Sequence, residues 1–255
     1  MAGPNDTHEV RGGPAIAVQQ GVSEESRTQL VSCLCVTESR RAFWPWLWWN
    51  FEKQDHPHRE LVVVDSSPEP IPVADPRVRV VAAMPGSTVG AKRNIAVRSA
   101  RGAMIAWFDD DDWQHPRRLS ILVRALATHR LAGGLESWFV EPAGRRARPY
   151  HSQLDVIFNG LGVRKDEVAQ LIFDEHKPRA ADTAWVRELS RRVGGDIAIV
   201  PEVLTWWLCH RRNISNPATK YMFAQSLSIP RARIGESDWA DTDVHLDALI
   251  SRLLT

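Results

Sequence analysis

Between residues 30 and 129 the chain alternates short apolar runs with longer, charge-edged segments, and this alternation restricts the possible folds sharply. LVSCLCVT, residues 30 to 37, is nearly continuously apolar, as a strand buried on both faces requires. RAFWPWLWWNFEKQ, residues 41 to 54, has helix length and carries its charges at the ends. Leu61 to Val64 form a second strand ending at Asp65, and RVRVVAA, residues 77 to 83, a third. TVGAKRNIAVRSAR, residues 88 to 101, reads as a helix once past Gly90, and AMIAWF, residues 103 to 108, as the next strand. Pro116 opens a helix in which Leu119, Leu122, Val123 and Leu126 share one face. Strands alternating with helices predict an α/β sheet, and ligands of such sheets collect at the carboxyl ends of the strands. Asp65 and the run Asp109 to Asp112 both fall at such ends.

Composition excludes several function classes. Lys plus Arg number 32 against 31 for Asp plus Glu, a net charge of +1, which argues against a nucleic-acid binder. Cys33, Cys35 and Cys209 make neither a disulfide framework nor a CxxC metal pair, and the alternation of Cys33 and Cys35 in a strand fits packing as small apolar groups. No apolar run reaches membrane-spanning length, and MAGPNDTHEVRGG lacks the basic start and apolar core of a signal peptide. The expectation is a soluble, cytoplasmic protein with no transmembrane segment. Residues 1 to 28, broken by Gly, Pro, Asn, Asp and Ser, read as a flexible tail.

The four adjacent carboxylates, Asp109 to Asp112, admit two readings. Asp accepts hydrogen bonds from the free amides of a helix start and favours the positive end of its dipole, so the run can be an acidic turn before the Pro116 helix. It can equally be a hard-cation site, because Mg²⁺ and Mn²⁺ take oxygen ligands and leave positions open for phosphate.

The surrounding residues resemble a family 2 glycosyltransferase of the GT-A fold over roughly residues 30 to 215. VSCLCVTESR stands where that family has its opening strand, and GAKRNIAVRSARGAMIAWFDDDDWQHPRRL matches the stretch leading into the family's DxD signature. The resemblance implies a GT-A, Rossmann-like α/β fold with a mostly parallel central sheet, helices on its faces and a smaller acceptor-side region. It implies donor contacts from Thr37, Asp65, Lys92, Arg93, Asp109 and Asp110, and metal contacts from Asp111 and Asp109. A metal would stabilise the charge that gathers on the departing diphosphate. Gly90 can allow close backbone approach to a phosphate, while Lys92 can equally face solvent.

In the second half, residues 137 to 140 read as strand, and the RRAR run at 145 to 148 as a solvated basic loop. Asp182 precedes the apolar-periodic AWVREL segment, where the resemblance implies a carboxylate pair whose second member is the general base. Here Ala181 replaces the first acid, and Asp182 can otherwise be read as an N-cap. Asp174 and Glu175 stand as backup bases. VLTWWLC delivers His210, Arg211 and Arg212; the resemblance makes His210 a metal ligand and the two arginines phosphate contacts.

Of the 11 tryptophans, Trp113 and Trp185 are the candidates for stacking on an acceptor sugar. TDVHLDALISRLL forms an amphipathic helix for packing on the domain or for a homodimer contact. The predicted division is a tail at 1 to 28, a glycosyltransferase domain at 29 to 230 and a helical extension at 231 to 255. Within the domain, a nucleotide-binding half ends near residue 130 and an acceptor half follows. The predicted activity is Mn²⁺- or Mg²⁺-dependent, inverting transfer from a nucleotide-sugar, UDP-linked, to a small soluble acceptor. A noncatalytic nucleotide-sugar-binding protein on the same scaffold is the alternative.

Overall fold

The computed structural model describes residues 29–69, 71–141, 146–176, 181–210, 227–228 and 236–254; the tail at 1 to 28, Arg211 and Arg212 lie outside them. The central element is β1 (Val31–Thr37), whose continuous apolar run is buried between parallel neighbours β2 (Arg59–Asp65) and β4 (Met104–Trp107). Register sets Thr37 opposite Asp65, so the carboxyl ends of β1 and β2 finish level. The edge strand β3 (Val78–Ala82) pairs in parallel with β2.

On the other side of β4 the sheet changes direction. The short β9 (Gly162–Arg164) runs antiparallel to both β4 and β6 (Leu131–Gly134), and β10 (Ile197–Val200) pairs in parallel with β6. The result is a seven-stranded, mostly parallel sheet of order β10-β6-β9-β4-β1-β2-β3. A second sheet, of order β12-β8-β7-β11-β5, joins β5 (Trp113–Gln114), β7 (Glu136–Glu141), β8 (Arg146–His151), β11 (Thr205–Leu208) and β12 (Leu227–Ser228). Most of the RRAR run is therefore strand, not loop: in β8 only Ala147 is fully buried, which is why its pattern reads as solvated.

Helices cover the large sheet. One apolar cluster joins β1 and β2 to α1 (Trp44–Glu52) and α3 (Arg118–Leu126). The other joins them to α2 (Val89–Ser99) and α5 (Ala181–Val193), with the single-turn α4 (Lys165–Val168) alongside. Cys33 and Cys35 are fully buried free thiols within the first cluster. Apolar burial at about 25 cal/mol per Å² makes these two layers the main stabilising term.

The tryptophan-rich α1 has a second task. Asn50 Oδ1 accepts from Gln114 N at 2.7 Å, Gln54 Nε2 donates to His115 O at 3.0 Å, and Trp46 Nε1 donates to Asp112 O at 3.1 Å. These buried side chains fasten α1 to the segment that follows β4. The last helix, α6 (Glu236–Leu254), packs on α1: His245 stacks on Trp49 with ring centroids 4.7 Å apart, and Leu246 and Leu249 are buried in the same cluster as Phe43 and Trp46. Among the described residues no helix is long and apolar enough to cross a membrane.

Candidate active site

The acidic run lies immediately beyond the carboxyl end of β4, and Asp110, Asp111 and Asp112 are buried there. Each carboxylate is held by a different part of the chain. Asp110 Oδ2 accepts from Thr37 Oγ1 at 2.7 Å, which ties the run to the end of β1. Asp111 Oδ2 receives the Arg40 guanidinium and lies 3.1 Å from His210 Nε2. Asp112 Oδ1 accepts from Leu208 N at 3.2 Å, so the end of β11 is pinned to the same loop. Asn159 Nδ2 donates to Asp109 Oδ2 at 2.8 Å and to Asp112 Oδ2 at 2.5 Å.

Electrostatics separate the four. Burial, with Asp111 and Asp109 as like-charged neighbours, pushes Asp112 well above the carboxylate range. Burial and the adjacent Asp111 raise Asp110 to about 7. Burial also raises Asp109; Arg93 opposes this, whereas Asp111 and Asp182 add to it. Asp111 alone is lowered: burial works against its charge, but the His210 hydrogen bond and Arg40 outweigh it. Asp111 is thus the member of the run built to stay ionised.

Asp65 lies at the neighbouring strand end, 3 % exposed. Its Oδ1 accepts from Ser67 N at 2.8 Å and from Ser67 Oγ at 2.5 Å, while its buried Oδ2 has no hydrogen-bond partner. A buried carboxylate oxygen left unpaired is costly, and a ligand N–H or hydroxyl would relieve it.

Asp182 sits in the first turn of α5, where its Oδ1 accepts from Thr183 N at 2.8 Å; it is near enough to Asp109 to act on that carboxylate's charge. Glu175 Oε1 is taken by Asn94 Nδ2 at 2.8 Å, so this backup base helps fix its own loop.

Other expectations need correction. Lys92 does not face solvent: it is 4 % exposed, and its Nζ donates to Thr37 O at 3.2 Å and Ser66 Oγ at 3.1 Å and pairs with Glu38. It ties the ends of β1 and β2 together. The close approach at Gly90 is made by protein, since a Cβ there would lie 2.6 Å from the Asp174 carbonyl oxygen. Trp113 stacks on Trp206 at 4.1 Å and Trp185 on Phe173 at 4.8 Å, both buried, so neither offers a face to a sugar.

Arg93 is 7 % exposed and stands in an aromatic enclosure, 4.3 Å from the Phe158 ring centroid, 5.4 Å from Phe173 and 5.7 Å from Trp107. Its buried Nε has no hydrogen-bond partner, and its charge acts on Asp109.

Three contributors escaped sequence reasoning. Arg40 ends the VSCLCVTESR stretch, which gives it no role of its own, and Asn159 lies in a short 3₁₀ turn with no signature. Arg118 is fully buried and donates to Trp107 O at 2.8 Å and Leu161 O at 3.1 Å, holding the end of β4 beneath the acidic loop. Burial pushes its guanidinium down to about 10.

Among the described residues no group of three or more His, Cys, Asp and Glu side chains is arranged to hold a metal ion. The donor types present are nonetheless ones a divalent ion accepts: the carboxylate oxygens of the acidic run and the His210 imidazole, with Asp111 Oδ2 and His210 Nε2 in contact at 3.1 Å.

Comparison with known proteins identifies the family and the fold. Residues 47–180 match the family model for glycosyl transferase family 2. No curated protein matches the sequence. Among solved structures, S. aureus TarS aligns with a TM-score of 0.57 at 16% identity, over 71% of this chain and 37% of TarS. TarS 1-349 in complex with UDP-GlcNAc aligns with a TM-score of 0.58 at 15% identity, over 88% of this chain and 71% of the other. The mannosyltransferase PcManGT from Pyrobaculum calidifontis, in complex with GDP-Man and Mn²⁺, aligns with a TM-score of 0.56 at 14% identity, over 89% and 87%. The chain therefore has the GT-A fold and spans little more than a third of full-length TarS.

Proposed function

Because the chain belongs to glycosyl transferase family 2, we propose that it transfers a sugar from a nucleoside diphosphate donor, uridine-linked, to a hydroxyl or amine of a small soluble acceptor, with inversion. The observation that carries this reading is the meeting of Asp111 and His210, 99 residues apart in sequence, inside a loop of buried carboxylates at the strand ends. Likeness to structures holding UDP-GlcNAc, and GDP-Man with Mn²⁺, supports a nucleotide-sugar donor and a divalent ion. We place the transferase unit at residues 29 to 230, with 231 to 255 as an extension.

In this reading Asp65 Oδ2 accepts a hydrogen bond from the nucleoside, which supplies the partner it lacks. Asp111 and His210 would hold Mn²⁺ or Mg²⁺, with Asp109 as the further carboxylate ligand; Arg211 and Arg212, outside the described residues, are assigned to the diphosphate. When bound, the ion supplies charge stabilisation for the leaving diphosphate. Arg93 contributes a fixed positive charge beside Asp109. Asp182 takes the proton of the acceptor nucleophile as its oxygen or nitrogen bonds to the anomeric carbon and the bond to the diphosphate oxygen breaks on the opposite face. Thr37 holds Asp110 still, and Lys92 acts on the donor site through the strand ends it joins.

The test is binding of UDP and of GDP, with and without Mn²⁺, to the wild type and Asp111→Ala, followed by assay of nucleoside diphosphate release from UDP-sugars with an acceptor panel. The expected result is Mn²⁺-dependent UDP binding that Asp111→Ala loses. Preference for GDP would overturn the uridine assignment; binding without turnover on any acceptor would favour a noncatalytic binder.

A further inference from the structure

Arg40 stands where a metal would need to act. Its guanidinium contacts Asp111 Oδ2, the oxygen that also meets His210 Nε2, and its Nε lies 3.4 Å from Asp110 Oδ2. The position is built. The Arg40 guanidinium sits over the Phe43 ring, 4.4 Å from its centroid, and Phe43 packs against the His210 ring at 4.8 Å. One aromatic ring thus backs both the arginine and the imidazole that share the carboxylate.

A carboxylate oxygen with His210 on one side and a guanidinium on the other has no room for an ion unless the guanidinium withdraws. Charge leads to the same conclusion, since two cations within a few ångströms repel in this half-buried setting. Arg40 lies in the short connection between β1 and α1, where its side chain keeps 17% of its surface open to solvent, so the way out for the guanidinium is towards water.

We propose that Arg40 and the divalent ion occupy the Asp111 carboxylate in turn, so that Arg40 sets how tightly the protein takes a metal before a donor arrives. The proposal rests on the metal-assisted reading given above. Arg40 holds the acidic run neutralised, and an ion binds well only when something else accepts the displaced guanidinium. The donor's diphosphate is the fitting acceptor, because guanidinium pairs with phosphate oxygens through two parallel hydrogen bonds. Metal and donor would then bind cooperatively, each favouring the other by the same factor.

The experiment is Mn²⁺ titration of the full chain, followed by calorimetry and by the electron paramagnetic resonance of free Mn²⁺. Wild type, Arg40→Gln and Arg40→Lys are compared with and without UDP, and Asp111→Asn reports binding elsewhere. Without UDP, Arg40→Gln should bind Mn²⁺ about tenfold more tightly than wild type, the effect of removing one screened, part-buried cation. Arg40→Lys should stay close to wild type. UDP should tighten Mn²⁺ binding in the wild type and much less in Arg40→Gln. Equal or weaker Mn²⁺ binding by Arg40→Gln overturns the exchange while leaving the metal site standing. Loss of Mn²⁺ binding in every variant and in wild type, with or without UDP, overturns both. If Arg40→Gln does not fold, Arg40→Met takes its place with the same two expectations, tighter Mn²⁺ binding without UDP and a weaker effect of UDP, and failure of both overturns the exchange.

Discussion

Asn94 grips the backbone of Phe173 at both ends: its Nδ2 donates to Phe173 O at 3.0 Å, and its Oδ1 accepts from Phe173 N at 2.8 Å. The pair joins α2 to the loop before α5 across 79 residues of sequence. Phe173 in turn stacks on Trp185, one turn along α5 from Asp182. Asn94→Ala strips both partners from a buried peptide group and should cost about 2–4 kcal/mol in chemical denaturation. Asn94→Asp keeps one acceptor, loses the donor and adds a buried charge, so it should be at least as unstable.

Gly90→Ala sets two effects against each other. Alanine gains about 1 kcal/mol of helix propensity over glycine. Its Cβ, however, would lie 2.6 Å from a backbone oxygen of Asp174, which moves only with its loop. The clash should win, with a net loss of about 1–3 kcal/mol and slower transfer, because the same loop leads to Asp182. A thermal melt showing Gly90→Ala as stable as wild type would contradict the packing described.

Asp182→Asn preserves shape and removes the proposed base. Turnover should fall by roughly 10²–10⁴-fold, while Mn²⁺-dependent nucleotide affinity stays unchanged. Glu175→Gln should retain most activity, because Asn94 can hold either side chain. If Glu175→Gln proves the more damaging change, the roles of the two carboxylates are reversed.

Burial raises the Cys33 thiol from 9.0 to about 12. A group whose folded pKa is raised contributes stability that is complete below its unfolded pKa and disappears as pH climbs towards the folded one. Unfolding free energy should therefore decline from pH 9.0 towards 12, with each such thiol contributing at most about 1.4 kcal/mol per pH unit. Cys33→Ala should make that decline shallower. The native thiol should also resist alkylation until the protein unfolds.

The large sheet was legible where sequence and burial agree. β1, β2 and β4 are apolar runs because both faces of each strand are covered, and carboxylates stand at the end of β2 and just beyond β4, where such sheets bind ligands. LAGG and GVR were illegible as strands because their glycines admit close packing: a Cβ on Gly133 would meet Val156 at 3.0 Å, and one on Gly162 would meet Leu122 at 3.1 Å. Trp113 and Trp185 looked accessible from their neighbours in sequence, yet each has a ring partner contributed from elsewhere in the chain. Arg40 and Asn159 carry no pattern at all, since their importance comes only from what the fold brings beside them.

The bond from Leu208 N to Asp112 spans 96 residues, and β5 and β11 pair over a similar interval. During synthesis, a nascent chain that has emerged only to residue 200 holds every acidic residue of the loop but neither β11 nor His210. Contacts of such long sequence separation form late and slowly. The carboxylates of a chain that has emerged only that far thus repel one another without their full set of partners, and the loop is complete only once β11 and His210 have joined it.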